Sequence, residues 1–250
     1  SPREGQAMTY ESLRQLTLVF GGSSRPYYGT GDLGDLWSWD GSEWAVLSTS
    51  GPPSRVWAAM SYDRARDRVV VFGGINYLES LSPDTWEWDG STWTQITAPG
   101  PGPRTNHAMI YDESRQVTVL LGGYNASGNP CDDTWEWDGL RWSQVYTNSP
   151  GARGGHTMVY DAAAQCVELF GGSWEPSANH VWELRWNELL QDVDDDCDVD
   201  LLDLAAFQTC FGADQSLVYC ERFDADSTGD ITLADFEAFH GKLSGPSPPD

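Results

Sequence analysis

Hydrophobic and polar positions repeat along this chain with a period of about fifty residues. Residues 3–10, 55–62, 104–111 and 153–160 align without gaps, and all four methionines (Met8, Met60, Met109, Met158) fall in one column. Each stretch leads to an apolar run that ends in a double glycine: Gly21-Gly22, Gly73-Gly74, Gly122-Gly123 and Gly171-Gly172, in steps of 52, 49 and 49 residues. A third block follows each time. It reads Trp37-Ser-Trp39-Asp40-Gly41, Trp86-Glu-Trp88-Asp89-Gly90 and Trp135-Glu-Trp137-Asp138-Gly139, and it decays in the last copy to Trp182-Glu-Leu184-Arg-Trp186. A fixed period of this size marks a propeller or a solenoid.

Each repeat predicts four strands. In the second copy, 60–62 is a short alternating strand closed by a polar turn at 63–67. Arg68–Phe72 is apolar on both faces, as a strand inside a stacked sheet must be. Gly73-Gly74 ends it, where the backbone passes close to a neighbour or takes positive φ. Thr85–Trp88 and Thr92–Ile96 are predicted to join at Asp89-Gly90, a dipeptide suited to a type I′ hairpin. Trp86, Trp88 and Trp93 supply area to fill the space between sheets. Linkers such as 98–103 carry the chain onward.

The double glycine and the Trp-x-Trp-Asp-Gly block resemble the kelch repeat, over residues 1–187. The resemblance implies a mainly β protein built from four propeller blades, at about 1–50, 51–99, 100–149 and 150–187. Propellers of this type usually close with six or seven blades. Ser1-Pro2-Arg3 already falls inside a repeat, so further blades and a targeting segment are expected upstream; a self-closing four-bladed ring and pairing between chains are the alternatives.

The recurring Arg3, Arg55, Arg104 and Arg153 each follow a linker and are expected to bond to carbonyls of the next blade. Two enzymatic alternatives remain open. A sialidase-like propeller gathers arginines for a substrate carboxylate, and Asp-Gly-x-x-Trp echoes the Asp-box turn of that family. A copper-oxidase-like, galactose-oxidase-type site would use imidazoles such as His107 and His156. In either case the remaining site residues would lie in missing blades. The sequence singles out no catalytic residue, so the expectation is a non-catalytic protein. The segments after each double glycine, 23–34, 75–83, 124–132 and 173–179, vary in length and are rich in Tyr, Asn, Ser and Gly. Variation on a fixed scaffold is where recognition sits. Tyr27, Tyr28, Tyr77, Tyr124 and Trp174 are the candidate contacts, for a protein or a glycan.

Charge changes the picture at the C-terminus. The chain has 38 acidic and 14 basic residues, a formal net charge of -24, and its one lysine is Lys242. Such a field repels nucleic acid and anionic membranes. No apolar run is long enough to span a bilayer. Residues 188–250 hold 16 acids against two bases, which sets a domain boundary near Glu188. Within this segment 188–243 is predicted to be a small calcium domain and 244–250 a Pro/Ser-rich tail.

Residues 192–203 place aspartates at positions 1, 3, 5, 7, 9 and 12 of a twelve-residue loop, and 224–235 form a second copy with Gly229 at the sharp turn. This is the oxygen spacing of an EF-hand loop. Seven acids in 192–203 repel one another unless a cation neutralises them. Leu204, Phe207 and Phe211, like Phe236, Phe239 and Leu243, fit one face of a following helix. The pair of loops resembles a type I dockerin, with Asp rather than Glu at position 12. That resemblance implies two calcium ions. The first would be held by Asp192, Asp194, Asp196, Asp198 (through its carbonyl), Asp200 and Asp203. The second would be held by Asp224, Asp226, Thr228, Asp230 (through its carbonyl), Thr232 and Asp235. It also implies docking to a cohesin-like partner. Cys197 at position 6 and Leu201-Leu202 at positions 10 and 11 depart from the pattern, which leaves a structural calcium module as the alternative. Cys210 and Cys220 flank the link between the helices and are the candidate disulfide, with Cys197 as another partner. A disulfide fits an oxidising, extracellular or cell-surface setting.

Overall fold

The computed structural model describes residues 2–24, 31–76, 80–145, 151–173 and 181–184. The chain divides into two units, Ser1–Leu184 and Arg185–Asp250, and every described residue belongs to the first. The two calcium loops, their helices and the candidate disulfide therefore lie outside the described residues.

Blade 1 comprises β1 (Ala7–Glu11), β2 (Leu16–Phe20), β3 (Leu36–Trp39) and β4 (Trp44–Ser48). Blade 2 repeats this with β5 (Ala59–Asp63), β6 (Arg68–Phe72), β7 (Thr85–Trp88) and β8 (Trp93–Ile96). Blade 3 opens with a short strand β9 (Arg104–Thr105), continues with β10 (Ala108–Asp112) and β11 (Val117–Leu121), and adds β12 (Tyr124–Asn125) before β13 (Thr134–Trp137) and β14 (Trp142–Val145). Blade 4 shows β15 (Gly154–Asp161), β16 (Cys166–Ser173) and β17 (Val181–Leu184). Within each blade the strands are antiparallel and lie in chain order, while β9 and β12 form a separate two-stranded pair. The first strands stand side by side, β1 next to β5, β5 next to β10 and β10 next to β15. This is a four-blade, propeller-type stack.

The core lies between blades. Because side chains alternate across a strand, blades 2 and 3 each have a leading face turned to the blade before and a trailing face turned to the blade after. Phe20, Leu18 and Leu36 on the trailing face of blade 1 pack against Met60, Tyr62, Val71 and Trp88 on the leading face of blade 2. Val70 and Phe72 on the next trailing face pack against Met109, Leu120, Trp137 and Trp142. Phe20 meets Trp93, and Phe72 meets Trp142, with ring centroids 5.5 Å apart in each pair. Edge-tilted pairs of this kind add to the area they bury.

Two expectations need correction. The strand read as alternating, β5, is buried on both faces, because blades 1 and 3 cover it from either side. The turn between β7 and β8 is not a type I′ turn at Asp89-Gly90. Gly90 takes positive φ but Asp89 does not. The backbone N–H of Asp89 donates to the Thr92 carbonyl at 3.2 Å, which moves the turn one residue on, to Gly90-Ser91. The Asp89 carboxylate is the reason. It accepts from the N–H groups of Ser91 at 2.8 Å and Thr92 at 2.7 Å, a local bond that competes with strand pairing.

Candidate functional site

The double glycine, the recurring arginine and the loop between them converge at one end of each blade. Gly73 has φ of +69°, and a Cβ placed there would lie 2.7 Å from the Arg104 carbonyl of blade 3. The Gly74 N–H donates to that same carbonyl at 2.9 Å. The junctions of blade 1 with blade 2 and of blade 3 with blade 4 repeat this: Gly22 N–H to Arg55 O at 2.9 Å, and Gly123 N–H to Arg153 O at 2.8 Å. Glycine is required here because two backbones meet where a side chain would stand.

The arginine side chains turn the other way, into the blade that the linker has just entered. Arg55 donates through Nη1 to the Gly73 carbonyl at 3.0 Å. Its two terminal nitrogens also reach both Asp84 oxygens, at 2.6 and 3.1 Å. Arg104 makes the same set with Gly122 and Asp133, and Arg3 with Gly21 and Asp35. Arg153 donates to the Gly171 carbonyl at 3.0 Å. Each aspartate also accepts from the indole two residues on, Trp37, Trp86 or Trp135, at 2.6 to 2.7 Å. Burial alone would raise these carboxyls. The bidentate guanidinium and the indole N–H outweigh it and hold Asp35, Asp84 and Asp133 below the ordinary aspartate value. The arginine column is thus a structural clamp. The aspartates were missed in the sequence, although Asp-x-Trp recurs at a fixed place at the start of the first three tryptophan blocks.

His107 and His156 sit beside the same glycines. The ring of His107 would meet a Cβ on Gly73 at 2.7 Å, and that of His156 a Cβ on Gly122 at 3.1 Å. Burial, aided by the neighbouring arginine, pushes His107 down to about 3 and His156 down to about 4. Both are neutral at pH 7. Among the described residues no group of three or more His, Cys, Asp or Glu side chains is placed to hold a metal.

Among the described residues, the first three variable segments are fastened at their bases. Ser23 bridges Glu4 and Asp32, Ile75 bridges Val56 and Leu81, and Tyr124 bridges Pro130. Tyr124 also pairs through β12 with Thr105. Its ring is half-buried and lies against Gly154 of blade 4, where a Cβ would meet it at 2.4 Å. Tyr27, Tyr28, Tyr77 and Trp174 lie outside the described residues.

A model of the KLHDC2/KLHL20/DRC7 kelch-repeats domain matches residues 5–189. The chain belongs to the kelch-repeat family. No curated protein matches the chain. Among solved structures the kelch unit resembles one described as "Structure of YjhT", with a TM-score of 0.54 and 16% identity over 68% of this chain. At that identity the likeness is one of fold. The chain spans 59% of that structure's length. A kelch propeller is a scaffold suited to binding other proteins, and its clamps and glycine junctions account for the recurring residues that looked most like an active site.

Proposed function

We propose that this kelch protein is a non-catalytic, extracellular binding or scaffolding protein. Its loops recognise a protein or glycan, and residues 188–243 bind two calcium ions and dock to a cohesin-like partner. One observation carries the recognition half. Segments of different length and sequence follow the first three double glycines, each anchored by a bridged residue at its base, so contact residues vary while their platform does not. Arg3, Arg55 and Arg104 are already engaged in ion pairs within their blades, which favours this reading over a sialidase-like site for a substrate carboxylate. The calcium half is supported by the two aspartate-rich loops at EF-hand spacing.

The test has two arms. Calorimetric titration of the chain with calcium chloride is expected to give two sites per molecule, with magnesium chloride binding weakly. Absence of calcium heat, with melting unchanged by a chelator, removes the calcium module. A type I cohesin probe is expected to be retained in calcium and released in chelator. In parallel, a glycan array is run with the parent chain and with a Tyr27→Ala/Tyr28→Ala variant. Glycan binding that the variant loses supports sugar recognition, and no binding by the parent chain removes it.

A further inference from the structure

Asn125-Ala126-Ser127 reads Asn-x-Ser with a non-proline residue between, the acceptor sequence of an N-linked glycan. Of the seven asparagines in the chain, only Asn125 has Ser or Thr two residues on. So short a motif says little by itself, and its placement in the fold carries the argument. The motif forms the tip of the variable segment of blade 3. Its base is held, because Tyr124 and Asn125 pair with Thr105 and Arg104, and Tyr124 bridges Pro130. Between these anchors Ala126, Ser127, Gly128 and Asn129 are exposed, and Gly128 turns the chain with φ of +74°. The Asn125 N–H donates to the Asn129 carbonyl at 3.0 Å, and the Gly128 N–H to the Asn125 carbonyl at 2.9 Å. Asn125 thus stands where β12 gives way to a short, fixed turn.

The turn also orients the Asn125 side chain. Its Oδ1 accepts from the Ser127 N–H at 2.9 Å and the Asn129 N–H at 3.1 Å. Two N–H donors on one amide atom fix that atom as the oxygen. The other end of the amide, Nδ2, donates to nothing among the described residues, and the Ser127 hydroxyl bonds to nothing there either. Blade 2 shows which part of this is structural. Asn76 holds the same place after its double glycine. Its N–H donates to the Ser80 carbonyl at 3.2 Å, and its Oδ1 accepts from the Ser80 N–H at 3.3 Å. The bond to the fourth residue on therefore belongs to the turn. Leu78 stands where blade 3 has Ser127, so the turn needs no hydroxyl at that place.

We propose that Asn125 carries an N-linked oligosaccharide. The proposal rests on the extracellular reading above, since the transfer takes place on the secretory route. The co-substrate is an oligosaccharide held on a polyprenyl diphosphate. Nδ2 forms a bond to the anomeric carbon of the sugar. The bond from that carbon to the diphosphate oxygen breaks, the diphosphate leaves with the electron pair, and Nδ2 gives up one proton. An amide nitrogen shares its lone pair with the carbonyl, so the transferase has to seat the group closely. The turn leaves Nδ2 and the Ser127 hydroxyl for it to engage. Oδ1 takes no part in the reaction, so its two bonds to the backbone survive. The attached glycan covers the tip of the 124–132 segment and leaves recognition to the other segments.

The test has two arms. In the first, the full chain is secreted behind a signal peptide from a eukaryotic host, as the parent and as Asn125→Gln, Ser127→Ala and Ser127→Thr. The parent and Ser127→Thr are expected above 27.6 kDa and should lose the excess on treatment with peptide N-glycosidase. Asn125→Gln and Ser127→Ala are expected without a glycan. Ser127→Ala keeps the N–H that holds the turn and loses only the hydroxyl, so it should melt with the enzymatically deglycosylated parent. An unmodified parent overturns the proposal, and so does a glycan that survives Ser127→Ala. The second arm is peptide mapping by mass spectrometry of the protein from its natural source, where a glycan on the peptide that holds Asn125 is expected. Protein found outside the cell with Asn125 bare overturns the glycan and leaves the extracellular reading standing. Protein found only inside the cell overturns that reading and the glycan with it.

Discussion

Trp137 and Glu87 stand in neighbouring blades, fifty residues apart, and meet through an indole Nε1 that donates to the Glu87 carboxylate at 2.8 Å. Arg66 reaches the same oxygen, also at 2.8 Å. Trp137 is fully buried, so the bond sits where water cannot replace it. Trp137→Phe should lower unfolding stability by about 1–3 kcal/mol, from the lost bond and the smaller ring. A double-mutant cycle with Glu87→Ala, which removes the acceptor, followed by denaturant unfolding, should give a coupling of about 1 kcal/mol. Full additivity would show that the contact contributes nothing.

The clamp gives a second prediction. Arg104 is almost fully buried and holds Asp133 by two bonds. Arg104→Met leaves that carboxylate without its charged partner and should lower stability by about 3–5 kcal/mol. Arg104→Lys keeps the charge but cannot form the two-bonded fork, and should recover only part of the loss. Equal stability of the lysine variant and the parent chain would contradict this account.

Glycine substitutions should separate backbone strain from crowding. Gly73→Ala adds a methyl group 2.7 Å from the Arg104 carbonyl at a positive φ, and should cost about 3 kcal/mol or more. Gly41→Ala also meets a positive φ but has open space around it, and should cost about 1 kcal/mol. Thermal melts of the two variants give the comparison.

Stability should fall on mild acidification. The folded values of His107, about 3, and His156, about 4, lie below the ordinary histidine value near 6.5. The unfolded chain therefore takes up protons first. Stability is complete above pH 6.5 and falls as the pH drops from there toward about 4, by on the order of 1 kcal/mol per pH unit for each histidine. His107→Gln, which borrows the residue that blade 1 carries in this column, should flatten that slope. Asp133, held below its ordinary value, contributes a loss only further down, as the pH falls below the aspartate range. Unfolding midpoints measured between pH 7 and pH 4 test the assignment, and an unchanged slope in the variant refutes it.

The blades were legible in the sequence because they depend on local patterning. A Val-rich run such as Arg68–Phe72, a double glycine and spaced tryptophans each state what their own strand needs, and the fifty-residue period states that the units stack. The glycines could also be read, since close approach excludes a side chain whatever the neighbour is. The partners of the arginines were harder to see. Arg104 meets Asp133 only because two strands return the chain to the same rim, and nothing in either residue names the other. The turn at Gly90-Ser91 was decided by a side chain bonding to its own backbone, a choice that the dipeptide Asp89-Gly90 does not reveal.

Burial is what the sequence could not assign. Met8 and Met60 occupy the same place in near-identical repeats, and so do Phe72 and Phe170, yet one of each pair is covered and the other is open. The repeat determined which side chains point at a neighbouring blade. Whether a neighbour stands there depends on position in the stack, because hydrophobic burial belongs to the pair of surfaces that meet and not to either residue alone.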